Sequence, residues 1–278
     1  MTRISIHTEL AYNVTARTSF SFAVLAAANE RQHVDTAHLT MPEGLDVRSV
    51  HFGTDRHELL QVTVDPAPLV LTYDATVTLR AHIPDDVPRR ETPFAELPGE
   101  VLGDLHPSRY CPSDLLGRFA GQTFGRLAPG FERVTGICNW IWDHLSYVPG
   151  STDSTTTAVD VLVGAAGVCR DYAHLAISFC RALGIPARYV SGYAVDLQPP
   201  DFHGFFEAYL DGHWYLFDAT RMAPIDGLVR IAAGRDAADV AFAAIVGPAT
   251  LTTKEIVVVH LDRTQPDDGT TTAAISTA

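Results

Sequence analysis

Gly167-Val168-Cys169-Arg170-Asp171-Tyr172, continuing through Ala173 to Pro186, decides the fold of this chain. The apolar positions Val168, Tyr172, Leu175, Ala176, Phe179 and Leu183 recur at helical spacing and form one stripe, which predicts a helix over Val168–Leu183. Gly167 precedes it. Gly184 stands at a natural C′ position, with Pro186 just beyond. Cys169 therefore falls at a helix N-terminus. Unpaired N–H groups and partial positive charge there favour thiolate over thiol, and the same N–H groups can hold a developing oxyanion.

Downstream, Ala187–Val195, His203–Leu210 and His213–Thr220 read as strands, the last two joined by Asp211-Gly212. Asp-Gly between strand-like runs is a strong hairpin signal. A two-residue loop pairs Leu210 with His213, which puts Asp218 opposite Phe205. Side chains alternate, so His203 and Phe205 share a face. Asp218 is then a diagonal same-face neighbour of His203, roughly 7–8 Å away at the backbone. A slip of one residue would destroy that pairing. The arrangement suits an Asp that orients a His, which in turn activates a Cys.

The stretches GVCRDYAHLAISFCRALGIPARYVSGY and DFHGFFEAYLDGHWYLFDAT resemble the transglutaminase-like core of the papain-like cysteine enzymes. The resemblance rests on a Gly-x-Cys helix start, an Arg-Ala-Leu-Gly-Ile-Pro-Ala-Arg helix exit, a His-x-x-x-Glu strand and a Trp-x-x-x-Asp-x-Thr strand. It covers Ser108 to Gly247. It implies that Cys169, His203 and Asp218 form the catalytic triad of a cysteine-dependent amide or peptide hydrolase, or acyl transferase, working through a thioester. Tyr147 is the possible second oxyanion donor. The resemblance implies a peptide or protein amide as substrate and, since nothing matches the acidic calcium sites of the animal cross-linking enzymes, neither metal nor other cofactor. Two positions depart from the family pattern: Phe205 stands where a Trp is usual, and Asp218-Ala219-Thr220 replaces Asp-Pro-Thr. Neither removes a reactive group. The alternative is a weak or inactive member that binds a peptide or protein in the same cleft.

The first third of the chain reads as β: Arg3–Val14, Leu59–Val64 and Leu69–Leu79 carry β-formers on a half-buried pattern. The expected fold is α+β, an N-terminal antiparallel sandwich over 1–100 followed by a papain-like core over 101–263, with a helix carrying Cys169 packed on an antiparallel sheet. Ile83–Gly99, with four prolines, reads as a linker, and 264–278 as a disordered tail. Ser113–Leu127, Phe131–Leu145 and Thr157–Val163 read as helices. Ile231–Val246 reads as loop or short helix, and Leu251–Leu261 as a last buried strand.

Composition limits the remaining possibilities. A net charge of −13 argues against nucleic acid or an anionic membrane as partner, since both need a basic footprint. The N-terminus shows no apolar h-region and no run approaches a membrane span, so cytoplasm is the expected location. The four cysteines form no CxxC pair, and disulfides are not expected in a reducing compartment. Cys111, Cys138 and Cys180 read as core. His174, five residues into the helix, also reads as structural, as do Arg170 and Asp171 beside the nucleophile and the tryptophans Trp140, Trp142 and Trp214.

Overall fold

The computed structural model describes residues 1–52, 57–80, 89–262 and 275–277. Six strands come first: β1 (Thr2–Val14), β2 (Thr18–Phe22), β3 (Gln32–Thr40), β4 (Arg48–Phe52), β5 (His57–Val64) and β6 (Ala67–Leu79). A helical region follows, with α1 (Gly117–Phe124), α2 (Phe131–His144), β7 (Ser146–Tyr147), α3 (Ala158–Gly164), β8 (Ala166–Gly167) and α4 (Cys169–Ala182). The chain then forms β9 (Ala187–Ala194), β10 (His203–Leu210), β11 (His213–Phe217), β12 (Leu228–Gly234), β13 (Ala243–Val246) and β14 (Ala249–His260). The protein is α+β, with mostly antiparallel sheets.

Two four-stranded sheets, β14-β1-β6-β3 and β13-β2-β5-β4, make the sandwich. Period-2 patterning builds it: Ile4, Ile6, Thr8, Leu10, Tyr12 and Val14 point inward from β1, and Leu69, Leu71, Tyr73, Ala75, Val77 and Leu79 from β6. Each large apolar side chain so buried contributes about 1.5–3 kcal/mol. Tyr12 meets Phe20 of the facing sheet with ring centroids 5.2 Å apart.

The sandwich is not built from the N-terminal residues alone. β14 pairs with β1 and β13 with β2, so the last strands of the chain return to it. The sheets therefore cross the division at 101–263 drawn from the sequence. β14 also departs from its expected burial. Of its residues only Ile256 is buried, while Val257 and Val259 alternate onto the outer face of the sheet and are exposed. β12 and β13 replace the loop or short helix expected over Ile231–Val246.

Of the linker reading, 83–88 lies outside the described residues. From Arg89 onward the chain is fixed on the helical region: Phe131 N–H donates to the Arg89 carbonyl at 2.9 Å and Glu91 pairs with Arg133 at 2.7 Å. Of the tail reading, 264–274 and 278 also lie outside the described residues, but 275–277 are packed rather than loose. Ile275 is buried against Leu216 and Phe205, and its carbonyl accepts the Leu216 N–H at 2.8 Å. The outer edge of β11 needs a hydrogen-bonding partner, and this single apolar residue anchors the segment that supplies one.

The third sheet, ordered β11-β10-β9-β12, carries α4 on one face. α4 is buried on all sides from Asp171 to Arg181. Phe119, Phe124 and Trp140 close around its Phe179, at ring centroid distances of 5.4, 5.1 and 5.8 Å. Arg181 can lie in this core because its guanidinium donates to the carbonyls of Ala187, His106 and Arg235 and to the Ser108 hydroxyl. The helix ends as the sequence predicts, with Gly184 at φ 82°.

Candidate active site

Cys169 is the first residue of α4 and is half-buried. Val168 before it is extended, so the Cys169 amide points out of the helix end with no intrahelical partner. Cys111, Cys138 and Cys180 are buried, and burial pushes all three thiols up, Cys111 to about 12.

The β10–β11 hairpin keeps the expected register from Leu210 opposite His213 to Phe206 opposite Phe217, but β11 ends there, short of the expected Thr220, so Asp218 follows the ladder and does not pair with Phe205. Asp211 and Gly212 take the positive φ values, 50° and 82°, that the tight turn needs. The His203 and Asp218 side chains meet: His203 Nε2 and Asp218 Oδ2 are 2.7 Å apart, and both residues are buried. The other Asp218 oxygen is also engaged, accepting the Thr220 N–H at 2.8 Å and its hydroxyl at 2.7 Å. Thr220 thus fixes the carboxylate plane. The Asp-x-Thr spacing, part of the motif that carries the family resemblance, is also an Asx-turn signal from which this role is readable.

His203 Nδ1 is buried, and the ring interacts with the Cys169 thiol through a side-chain hydrogen bond and through its charge. Burial opposes a charge on this ring. The Asp218 carboxylate and Cys169 outweigh it and raise His203 from 6.5 to about 10. Since the folded value lies above the unfolded one, the stabilisation from this pair is complete below pH 6.5 and is lost as pH rises through about 10.

Tyr147 lies in β7, which runs parallel to β8 so that Tyr147 is opposite Gly167, two residues before Cys169. Burial and then the charge of Cys169 raise its phenol, and both the thiol and the backbone amide of Cys169 act on it. The site therefore gathers Cys169, His203, Asp218 and Tyr147. Gly204, next to His203, has no room for a side chain, because a methyl there would overlap the Tyr189 hydroxyl.

His174 lies deeper, stacked on Tyr110 at 5.1 Å and accepting the Ala237 N–H at 3.1 Å, and burial lowers it to about 3. Its place is structural, as expected. Trp142, expected in the core, is 44% exposed, with the Arg221 guanidinium over its ring at 5.2 Å. It lies on the outward side of α2, away from the buried Val134, Ile137, Cys138 and Ile141.

The family model of the transglutaminase-like superfamily matches residues 118–219, a span that holds Cys169, His203 and Asp218. A solved structure of a candidate cysteine protease from Cytophaga hutchinsonii superposes with a TM-score of 0.93 at 38% identity, over 99% of this chain and 97% of that one. The chain belongs to the transglutaminase-like superfamily. Two mycobacterial proteins, both uncharacterized, are similar as well. The Mycobacterium leprae protein is 31% identical over 149 residues, which cover 49% of this chain and 52% of its own. The Mycobacterium tuberculosis protein is 28% identical over 218 residues, covering 71% and 67%. The chain thus spans about half the length of the M. leprae relative. The family model covers 118–219 within the core, and the likeness to the Cytophaga structure extends over sandwich and core together. No helix among the described residues is long and apolar enough to cross a membrane.

Proposed function

We propose that this protein is a cysteine-dependent amide or peptide hydrolase working through a thioester on Cys169. The observation that carries the reading is the buried 2.7 Å contact between His203 Nε2 and Asp218 Oδ2, which leaves Nδ1 of the same ring for the cysteine at the α4 N-terminus. Asp218 holds the tautomer and favours imidazolium. The Cys169 sulfur attacks the substrate carbonyl carbon, and the C–O π pair moves to oxygen. The Cys169 N–H and the Tyr147 O–H face that oxyanion, a donor of this kind being worth about 10²–10³ in rate. The C–N bond breaks as the His203 Nδ1 proton passes to the departing amine. Water then gives a proton to Nδ1 and attacks the thioester, and the C–S bond breaks to return the thiolate. An amine in place of water would give transamidation. Hydrolysis is favoured over transamidation because nothing in the sequence indicates an amine-acceptor site.

Incubation with a peptide and acyl-glutamine library, quenched in acid and followed by intact-mass analysis, tests this. The expected product is one acyl adduct per chain, on Cys169 and labile to hydroxylamine, with amine released. Binding of library peptides without adduct or product would favour a peptide-binding module instead.

A further inference from the structure

Asp171 is fully buried at the start of α4, two residues after the nucleophile, and four donor bonds converge on its carboxylate. Oδ2 accepts the Val168 N–H at 2.9 Å and the Thr152 hydroxyl at 2.6 Å. Oδ1 accepts Arg170 Nε at 3.1 Å and Nη2 at 2.8 Å. The same Arg170 Nη2 donates to the Asp153 carbonyl at 2.8 Å. Val168 is the residue before Cys169, so its bond fixes the helix start. Thr152 and Asp153 belong to the loop that leaves Tyr147, and that loop is tied at its base by Val148 N–H donating to the Gly167 carbonyl at 3.0 Å. Gly167 lies so close that a methyl there would come within 2.7 Å of Asp171 Cβ. One carboxylate thus joins the two chain segments that converge on Cys169.

We propose that Asp171 is a positioning residue of the acyl-transfer site, latching the Tyr147 loop to the nucleophile helix so that the Cys169 amide and the Tyr147 hydroxyl face one oxyanion position. It touches neither substrate nor sulfur. The inference rests on the acyl-transfer reading. An acceptor-only group is required, because every neighbour is a donor. An asparagine NH₂ would confront either Val168 N–H and Thr152, or Arg170.

The test compares wild type, Asp171→Asn, Thr152→Val and Thr152→Ser in hydrolysis of p-nitrophenyl acetate and in alkylation by iodoacetamide, with folding followed by near-UV circular dichroism. Alkylation forms no oxyanion, so the two reactions separate positioning from thiol reactivity. Asp171→Asn is expected to lose about 100-fold in kcat, the cost of misplacement near 1 Å, with KM and alkylation rate within about threefold of wild type. Thr152→Val is expected to lose about tenfold and Thr152→Ser to recover it, and this pair carries the test should Asp171→Asn not fold. The proposal is overturned if Asp171→Asn keeps its kcat, if alkylation falls in step with kcat, or if the loss matches the unfolded fraction. A wild type that does not turn over defeats the acyl-transfer reading and this inference with it. A wild type that does, matched by the variants, defeats the latch alone.

Discussion

Cys169→Ala is expected to abolish turnover, with kcat falling on the order of 10⁶-fold, the loss typical of removing the nucleophile of a catalytic triad. No other thiol can take over. Cys111, Cys138 and Cys180 are buried, and burial pushes each thiol up, disfavouring the reactive thiolate. The fold should survive, because Cys169 is only half-buried at a helix end and its side chain holds no part of the core together. A stability change within about 1 kcal/mol is expected. Hydrolysis of the library peptides and a denaturant titration, run side by side, check both halves. Retained turnover with intact folding would remove the cysteine from the mechanism.

The largest stability effect is expected at Glu207, four residues along β10 from His203. Its carboxylate is fully buried between two arginines, with Arg188 Nε donating at 2.8 Å and Arg230 donating from β12. Burial works against its charge, but Arg230 and Arg188 outweigh burial and lower its pKa below 4.5. The folded value therefore lies below the unfolded one. The contribution is present above pH 4.5 and is lost as pH falls through the folded value. Glu207→Leu leaves two buried guanidinium groups without their carboxylate and is expected to cost about 3–5 kcal/mol. That corresponds to a fall in Tm of roughly 10 °C for a chain of this size. Replacing Arg188, Glu207 and Arg230 together by apolar residues of similar volume should recover most of the loss, since a packed apolar trio can match a buried ion triad. Thermal unfolding of the single and triple variants measures this. A Glu207→Leu protein as stable as wild type would show that the triad holds nothing together.

The same buried triad marks where sequence reading stopped. α4 was legible because a stripe, a Gly start and a Gly-x-Pro exit coincide, and the His203–Asp218 contact because Asp211-Gly212 fixes the register. β12 was not, since it is buried on both faces except at its last residue and carries Arg230 as a counter-ion inside the core, which erases the alternation of a half-exposed strand. β14 was read as a strand, but its partner was not encoded locally. Pairing of Glu9 with Glu255 spans nearly the entire chain, and periodicity names an element without naming its neighbour. Its run of valines suggests burial, whereas alternation turns Val257 and Val259 to the outer face of the sheet. From sequence alone Asp171 reads as structural beside the nucleophile. Its bond to Thr152 crosses a loop whose path only the fold specifies.

In this mechanism Cys169 and His203 act as one unit. The most direct measurement is the rate of iodoacetamide alkylation at pH 7, with the labelled site identified by mass spectrometry, for wild type, His203→Ala and the urea-denatured chain. Labelling is expected at Cys169 alone in the native protein, at least about tenfold faster than in the denatured chain and falling to or below the denatured rate in His203→Ala. Native labelling no faster than the denatured thiol, unchanged by His203→Ala, would contradict it.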